Sequence, residues 1–374
     1  MKIQVNRQLL LDALKVGGAV AGKCKTIPIL DYCKVAVKGD KMVITSTDTE
    51  VTVAKKISII QSDVEQGDFC VIPSDLASIL STLRQEEVTL EVENGICSLH
   101  HARGSAKVAT LPAIDFPASS NEENKVSFTM NASKLSDWLN AAKSFVGIDP
   151  LRPAITGMHL AVENGEVWSC ASDSFKLHMD GYKDETLYGI NANMIISAKV
   201  FGYASSILSG YKNVTVQVDD NNVAFIVADA KISSRLLVGS YPKVRTILPK
   251  TTPIVAEVNT EDFKDSISRM KLFADQKSKM VELSFSPDGV KMLSSDILFN
   301  KSCEDSCDVL MYDGEPIEVY TKTDSLEAIL ANINSETLVI GMTAPKSPIV
   351  IYEADNRNKV LFTMPLLKPN SNGK

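Results

Sequence analysis

Hydrophobic residues recur at helical spacing in residues 130–146, with the sequence MNASKLSDWLNAAKSFV. An i, i+3, i+4, i+7 pattern is typical of a helix with one buried face. Here it is carried by Leu135, Trp138, Leu139 and Ala142. Asn131 or Ser133 precedes the stripe and can cap the free amides of the first turn. The pattern predicts one short amphipathic helix.

Five other segments have the same build: an apolar lead-in, a Ser, Thr or Asn cap, and a short apolar stripe. They are residues 5–14, 72–80, 196–208, 258–270 and 322–330. The central apolar residues of the six helices are 59 to 66 positions apart, at Leu10, Leu76, Leu135, Val200, Phe263 and Leu326. A near-constant period indicates an internal repeat of one helical unit.

A longer period is superimposed on the first. Residues 33–48, 158–173 and 281–296 each read as an alternating strand, a Gly-containing turn, a second strand and a small polar pair that ends in Asp. These final residues are 125 and 123 positions apart, about one third of the 374-residue chain: Asp48, Asp173 and Asp296. We therefore expect three tandem domains, each with two helical units.

The second half of each domain is also built of alternating strands, at 87–112, 213–239 and 337–365. Strands that alternate so regularly bury one face only, and helices can cover that face. The predicted fold class is α+β, with three tandem similar domains. Each domain has two strand–helix–strands units, with the helices on one face of antiparallel sheets.

Domain boundaries are expected in polar segments. Residues 118–125, ASSNEENK, read as a linker, and residues 244–255 read as a second linker bracketed by prolines. The predicted domains are residues 1–120, 126–246 and 253–367, and residues 368–374 are predicted to be a disordered tail.

Composition narrows the function classes. The chain is 44% hydrophobic and carries a net charge of −7, which by itself argues against nucleic-acid binding unless the cations are gathered on one face. No apolar run approaches the ~18 residues of a membrane helix, and the first residues do not read as a signal peptide. Seven scattered cysteines suggest reduced thiols in a cytosol.

The sequence contains no set of residues with the types and spacing of a catalytic site. Residues 17–24, GGAVAGKC, nearly match a phosphate-binding loop, but Cys24 stands where a Ser or Thr should bind magnesium. The order is also inverted, because a helix precedes the loop and TIPIL, a strand pattern, follows it. The three repeated aspartates fall in separate domains, so each is expected to cap the turn after its strand. We predict no enzyme activity, no cofactor and no metal site.

Basic residues follow the first helix of each domain at equivalent places in the repeat. The loops 22–30, 147–158 and 274–283 contain Lys23, Lys25, Arg152, Lys277 and Lys279. If the helices share one face, these cations share it too and can bind phosphates without reading bases. The alternative is that they only keep the protein soluble.

The apolar segment 360–367, VLFTMPLL, has two interpretations. It is either a buried strand or, with Pro365 and Leu366, part of a pocket for a partner peptide.

Seven motifs then occur in order: TIPIL (26–30), TDTE (47–50), LPAIDFP (111–117), RPAITGM (152–158), ASDSFKL (171–177), YPKVRTILP (241–249) and TMPLL (363–367). With these motifs and its three domains of two helical units each, the chain resembles the bacterial sliding clamp family, the beta subunit of DNA polymerase III. The resemblance runs from residue 1 to about residue 367.

The resemblance implies a head-to-tail homodimer that closes into a ring of six domains, with helices lining the hole and sheets forming the outer wall. Such a ring encircles duplex DNA without sequence specificity and is a processivity factor with no catalysis of its own. The implied partners are double-stranded DNA, the DNA polymerase III catalytic subunit, the clamp loader, and other proteins with clamp-binding motifs, such as repair polymerases, ligase and mismatch-repair proteins. The implied location is the cytoplasm, with no membrane partner.

The resemblance also implies three sets of site residues. A peptide-binding pocket between domains two and three falls on Ile155, Ser172, Ser174, Phe175, Lys176, Leu177, Pro242, Ile247, Phe362, Met364, Pro365 and Leu366. The DNA-facing cations are Lys23, Lys25, Arg152, Lys199, Lys277 and Lys279. The dimer interface falls on Ala106, Val108, Leu272 and Phe273.

This sequence departs from the family pattern at several of these places. Phe175, Thr246 and Leu367 replace a common His and two frequent Arg, so the pocket is expected to be more apolar and less dependent on salt. Cys24 stands where an Arg often touches DNA. Ala106 is small where a large aromatic residue can stand, and we expect Phe273 to fill part of that space.

Two other classes of protein are alternatives to a sliding clamp. A repeat-built protein-binding scaffold with no DNA role would tolerate removal of the loop cations, whereas a clamp would load poorly. An enzyme acting in the cleft between domains two and three would need a nucleophile and a base there, and the sequence offers neither.

Overall fold

The computed structural model describes residues 1–117 and 126–367, so the predicted linker 118–125 and the predicted tail 368–374 lie outside the described residues. Six α-helices occur in the described part, at the six predicted places: α1 Arg7–Gly17, α2 Pro73–Thr82, α3 Ala132–Ala142, α4 Ala198–Leu208, α5 Thr260–Phe273 and α6 Thr323–Leu330. The central apolar residue of each helix is at most 1% exposed, which confirms the predicted stripe.

The first repeat contains β1 Lys2–Asn6, β2 Cys33–Lys38, β3 Lys41–Thr47, β4 Val51–Ser58, β5 Gln61–Ser62, β6 Gln66–Val71, β7 Glu87–Glu93, β8 Ile96–His101 and β9 Gly104–Leu111. The central repeat contains β10 Val126–Asn131, β11 Gly157–Glu163, β12 Glu166–Ser172, β13 Lys176–Lys183, β14 Asn191–Ser197, β15 Asn213–Val218, β16 Asn222–Val227 and β17 Ala230–Arg235.

The last repeat contains β18 Ile254–Asn259, β19 Met280–Ser286, β20 Gly289–Asp296, β21 Lys301–Cys307, β22 Val309–Asp313, β23 Ile317–Lys322, β24 Thr337–Met342, β25 Ile349–Glu353 and β26 Asn356–Thr363. The predicted runs of alternating strands at 33–48, 87–112, 158–173, 213–239, 281–296 and 337–365 are therefore present, and the strand pairs of the described residues are antiparallel. This confirms the α+β class.

Helix capping was predicted correctly for three helices and wrongly for two. Asn6, Asn131 and Asn259 each accept a backbone N–H bond at the start of α1, α3 and α5. The starts of α2 and α6 have no side-chain cap bond. In α2, Pro73 lies in the first turn and has no N–H to satisfy. In α6, the Thr323 hydroxyl donates instead to the carbonyl of Lys279, at 3.2 Å.

The strand predicted for TIPIL is wrong, because Pro28–Asp31 forms a 3₁₀ turn. Pro28 cannot donate to a sheet ladder, and its fixed φ suits the first turn of a helix. The near-match to a phosphate loop also has a structural explanation. A Cβ on Gly17 would lie 2.4 Å from the Ile44 carbonyl oxygen, so glycine lets the end of α1 pack closely on β3.

The predicted turn-capping role of the repeated aspartates is confirmed. Asp48 accepts bonds from the amides of Glu50 and Val51, and Asp173 accepts them from Phe175 and Lys176. The Asp296 carboxylate accepts from the amide of Phe299 at 3.2 Å.

One compact unit comprises the described parts of Met1–Leu139 and Lys199–Leu236. Its strands form one 13-stranded sheet in the order β10-β15-β16-β17-β4-β3-β2-β6-β9-β8-β7-β1-β5. Helices α1 and α2 bury Leu10, Leu14, Leu76 and Leu80 in a core shared with β-strand residues such as Ile44.

The second unit comprises the described parts of Asn140–Ala198 and Leu237–Lys374. It holds a nine-stranded sheet in the order β14-β11-β12-β13-β26-β25-β24-β18-β22 and a four-stranded sheet in the order β21-β20-β19-β23. Phe263, Ile267 and Met270 of α5 and Leu326 of α6 are buried in this unit.

Sheets run from one repeat into the next. In the first unit β4 of the first repeat pairs with β17 of the central repeat. In the second unit β13 of the central repeat pairs with β26 of the last repeat. The sequence patterns predicted the strands but not these two seams.

Candidate peptide-binding site and nucleic-acid interface

The seam between β13 and β26 assembles most of the predicted pocket residues. Leu177 pairs directly with Phe362, and Lys176 pairs with Thr363. One step further, the Met364 amide donates to the Phe175 carbonyl oxygen at 2.7 Å. Segments almost 190 residues apart in sequence are thereby held side by side by backbone bonds.

The pocket floor is apolar and closely packed. Leu177 and Phe362 are 0% and 3% exposed and share a cluster with Cys170, Ile195, Tyr241 and Val244. Met364 packs against the same cluster and is half-buried. Two further predicted residues are buried, Ile155 and Ser172.

The rim is more exposed than the floor. Phe175 is 50% exposed and Ile247 is 48% exposed, so both offer apolar surface to solvent. The remaining predicted residues are exposed or half-buried: Ser174, Lys176, Pro242, Pro365 and Leu366. A buried apolar floor with partly exposed apolar residues at its rim suits the hydrophobic anchors of a short peptide.

The Asp173 turn fixes the polar side of the rim. Asp173 accepts two backbone amides and also pairs with the Lys176 ammonium at 2.6 Å. Ser174 adopts φ +82°, and its hydroxyl accepts a bond from the Arg152 guanidinium at 3.0 Å. Arg152, which sequence reasoning assigned to DNA, therefore contacts the pocket rim and also pairs with Asp149.

Lys322 was missed by sequence reasoning. Its ammonium lies 4.6 Å from the centre of the Phe175 ring, in cation–π geometry. Lys322 lies just before α6, far from Phe175 in sequence, so no local pattern could have indicated this contact.

Leu366 lies at the margin of the pocket. Its amide donates to the Tyr320 carbonyl at 2.6 Å. It also lines a separate cavity of about 560 Å³ with Ile254, Pro316, Ile317, Glu318, Tyr320, Thr343, Ala344, Pro345 and Lys346.

An aromatic stack supports the segment that carries Pro242 and Ile247. The His159 ring stacks on Tyr241 with centroids 5.0 Å apart and meets Trp168 edge-on at 4.6 Å. The Arg245 guanidinium lies over the Trp168 ring, 4.6 Å from its centre. Burial lowers the pKa of His159, so its neutral form accompanies the intact stack.

The predicted DNA-facing cations lie on loops and at one helix start. Lys23 and Lys25 are exposed in the loop after α1, where hydrogen bonds with Thr26 lower the pKa of the intervening Cys24 thiol. Lys199, in the first turn of α4, pairs with Glu50 at 2.6 Å. Lys277 is exposed and Lys279 half-buried in the loop after α5, which Asp275 caps at the amide of Ser278.

The predicted interface residues lie on an edge strand and at a helix end. In the described chain β9 pairs with β8 along Gly104–Ala109 and with β6 only at Thr110 and Leu111, so its outer edge is otherwise unpaired. Ala106 and Val108 are half-buried there. Leu272 is 72% exposed and Phe273 half-buried at the end of α5.

Among residues 1–117 and 126–367, no cluster of three or more His, Cys, Asp or Glu is arranged to hold a metal ion. No helix in these same ranges is long and apolar enough to span a membrane. The fold and the site together define a repeat-built α+β protein with a buried apolar cluster, bordered by partly exposed apolar residues, at the seam of two repeats.

Three family models match the chain in order. They are the N-terminal domain of the DNA polymerase III beta subunit at residues 1–120, its central domain at 129–243 and its C-terminal domain at 245–367. The beta sliding clamp of Salmonella typhimurium is 24% identical, over 98% of this chain and 100% of the relative.

Solved structures share the fold. A Pseudomonas aeruginosa DNA polymerase sliding clamp solved with a ligand matches with a TM-score of 0.93 at 21% identity, over 98% of this chain and 100% of that chain. A Bacillus subtilis sliding clamp matches with a TM-score of 0.90 at 21% identity, over 99% and 100%. This chain belongs to the DNA polymerase III beta subunit family, the bacterial sliding clamps, which are non-catalytic processivity factors.

Proposed function

We propose that two copies of this chain close head to tail into a six-domain ring that encircles duplex DNA. The ring tethers the replicative polymerase and other DNA-processing proteins through the pocket at the seam of domains two and three. The observation that carries this proposal is the pairing of successive repeats through their sheet edges.

The two seams follow one rule. The third strand after the first helix of a repeat, β4 or β13, pairs with the last strand of the next repeat, β17 or β26. In the described chain β21 of the last repeat, which corresponds to β4 and β13, pairs only with β20. Strand β9 of the first repeat, which corresponds to β17 and β26, pairs with β8 and, only at Thr110 and Leu111, with β6. Unpaired edges of this kind favour association with another chain, and a head-to-tail contact that closes gives a ring.

The proposed interface includes Ala106 and Val108 on β9 and Leu272 and Phe273 on α5. Helix α5 lies over β21, where Arg269 pairs with Asp305 at 2.5 Å. The end of this helix is therefore close to the edge that a second copy would cover. Exposed Leu272 and half-buried Phe273 offer apolar surface beside that edge.

Binding of DNA is assigned to cations on equivalent loops. Lys23, Lys25, Arg152, Lys277 and Lys279 follow the first helix of their repeats, and Lys199 adds a helix position. Contacts to phosphates alone are independent of sequence, which allows sliding. Lys199 and Arg152 already have acidic partners, so we expect Lys23, Lys25 and Lys277 to contribute most.

Partner proteins are assigned to the pocket. Buried Leu177 and Phe362 with half-exposed Phe175 and Ile247 suit a short motif with one or two hydrophobic anchors. Clamp structures from Pseudomonas aeruginosa and Bartonella birtlesii have been solved bound to griselimycin. We propose as users of this pocket the DNA polymerase III catalytic subunit, the clamp loader, repair polymerases, ligase and mismatch-repair proteins. We further propose the domains 1–120, 126–246 and 253–367 and a cytoplasmic location.

Retention on DNA tests the function. The protein is loaded onto nicked circular DNA with a bacterial clamp loader and ATP and then separated from free protein by gel filtration. Cutting the circle afterwards should release the protein, because a ring slides off an end. Equal retention on circular and cut DNA would contradict topological binding. Absence of retention on either form would favour a protein-binding scaffold.

A further inference from the structure

We propose that a cavity of about 600 Å³, between the sheet face of β14, β11 and β12 and the segment 239–246, is a binding site for a small planar aromatic carboxylate. Its walls include His159, Trp168 and Asn193 from the sheet and Lys243 and Arg245 from the segment. The site is additional to the proposed clamp function and does not depend on ring closure.

The cavity lies where the sheet face carries small side chains. Asn193 pairs with Ala161, Ala161 with Trp168, and Trp168 with Gly181, so these four residues form one row on the same face. Neighbouring strands are about 4.8 Å apart, which places Asn193 and Trp168 about 10 Å from each other with only the Ala161 methyl group between them. This small side chain leaves room for an aromatic ring.

The segment 239–246 is held against the sheet by two anchors. Tyr241 stacks on the His159 ring, and Val244 is buried in the apolar cluster of the pocket floor. Lys243 and Arg245 alternate with these anchors and are exposed. The segment therefore closes one side of the cavity and brings two cations to it.

The charges at the cavity favour an anion. Among the described residues that line it there are two cations, Lys243 and Arg245, and no Asp or Glu. Arg245 pairs with Glu166 at 3.3 Å, but Glu166 does not line this cavity. In a chain with a net charge of −7, two cations at one cavity without a lining carboxylate produce a local positive field.

Trp168 provides the surface for an aromatic ring. It is half-buried, whereas His159 and Tyr241 are 5% and 8% exposed, so the indole is the ring that a ligand can reach. A ring placed above Ala161 would lie about one strand spacing from Trp168, close to the 4.5–7 Å that aromatic pairs favour.

Polar groups around the cavity suit a carboxylate attached to that ring. The Asn193 Oδ1 atom accepts a bond from His159 Nε2 at 2.8 Å, which leaves the amide N–H₂ of Asn193 as a donor for a ligand. The Arg245 guanidinium is held 4.6 Å from the centre of the Trp168 ring. A ligand that stacks on the indole would therefore have cationic and amide donors for its carboxylate.

The cavity is distinct from the predicted peptide pocket. Along β12, Trp168 precedes the pocket residue Ser172 by four positions, a distance of about 13 Å. The row between them includes His159 paired with Cys170, and Tyr241 covers it. Pro242 borders both sites, so they are neighbours that a peptide and a small ligand could occupy together.

Titration with a matched pair of compounds tests the site. Cinnamate, a planar aromatic carboxylate, is titrated into the full chain and followed by saturation-transfer NMR, with an expected Kd of about 1 mM or tighter. Cinnamamide has nearly the same shape without the charge and should bind at least about fivefold more weakly. Equal binding of the two compounds would contradict the anion preference, and absence of cinnamate binding up to about 10 mM would overturn the site.

Substitutions locate the ligand. Trp168→Ala and Lys243→Gln should each raise the cinnamate Kd at least about fivefold. Because Lys243 is exposed, its replacement tests the site even if Trp168→Ala unfolds the protein. Lys183→Gln makes the same charge change at an exposed position of β13 outside the cavity and should leave the Kd unaltered. Equal effects of the two lysine substitutions would overturn the assignment of Lys243 to the site.

Competition separates this cavity from the peptide pocket. A saturating clamp-binding peptide should change the cinnamate Kd by less than about threefold, because the two ligands contact different rows of the sheet. Displacement of cinnamate by the peptide, together with loss of cinnamate binding in Phe175→Ala, would place the compound in the peptide pocket and overturn the proposal. Retention on circular DNA is measured independently, so the clamp function and the cavity site can fail separately.

Discussion

The Met364 amide donates to the Phe175 carbonyl oxygen at 2.7 Å, and this bond joins the end of the last strand to the turn before β13. Backbone bonds of this kind hold the apolar pocket floor in place at the junction of two repeats. Mutations of rim side chains should therefore change peptide binding while leaving the scaffold folded.

Phe175 and Lys322 form the first such rim pair. Phe175→Ala should weaken binding of a clamp-binding peptide about five- to tenfold, because it removes apolar contact area and the cation–π partner of Lys322. Fluorescence anisotropy with a labelled peptide measures the effect. Tyr188→Ala, at a 66% exposed residue outside the predicted pocket, is the control and should have no effect.

Salt should affect peptide binding only weakly. Lys176 is already paired with Asp173 at 2.6 Å, and Thr246 and Leu367 carry no charge. Between about 50 and 200 mM salt the peptide Kd should change less than about threefold. A steep salt dependence would mean that Lys322 or Arg152 makes a direct contact to an acidic peptide group.

DNA binding should depend strongly on salt. Replacing both Lys23 and Lys25 by Gln should lower the slope of log Kd against log salt by about 0.9 for each phosphate that the protein no longer neutralises. Anisotropy with a short duplex at several salt concentrations gives the slope. Gln at Lys38 and Lys56, two exposed strand lysines, makes the same charge change and should leave the slope nearly unaltered. An equal decrease of the slope in the two variants would indicate a purely long-range charge effect.

Phe273 should contribute to dimer formation. It is half-buried at the end of α5, and small Ala106 leaves space on the proposed partner strand. Phe273→Ala should raise the Kd of the dimer about tenfold, measured by analytical ultracentrifugation. Leu9→Ala, at an exposed apolar residue of α1, is the control. An unchanged constant for Phe273→Ala would remove this residue from the interface.

Acid should loosen the pocket segment through His159. Burial lowers the pKa of His159 below 6.5, so the unfolded chain binds this proton more readily than the folded chain. Its contribution to stability is complete above about pH 6.5 and is lost as the pH falls below that value. The melting temperature should therefore drop between about pH 7.5 and 5.5, and His159→Gln should reduce the drop. Equal drops in both proteins would assign the effect to other groups.

Periodic features of the fold were predictable from the sequence. The six helices and the alternating strands follow from local spacing of apolar residues, which depends on one buried face per element. The Asp48, Asp173 and Asp296 turns were predictable for the same local reason. TIPIL forms a turn instead of the predicted strand because Pro28 outweighs its apolar alternation.

The features that were missed depend on tertiary contacts. Nothing local to β4 or β17 indicates that these strands pair, because their residues are almost 180 positions apart. The cation over Phe175 and the bond from Arg152 to Ser174 arise only once two segments are brought together. The pocket residues came from a resemblance to a family, and periodicity alone left the segment 360–367 ambiguous.

The solution mass tests the central claim most directly. The chain has a mass of 40.7 kDa, and static light scattering over a range of concentrations should give about twice that value. The doubled mass should persist on dilution. A clamp has to remain closed at low protein concentration, because an open half-ring cannot retain DNA. A mass of one chain at every concentration would contradict the ring and the pairing of β9 with β21.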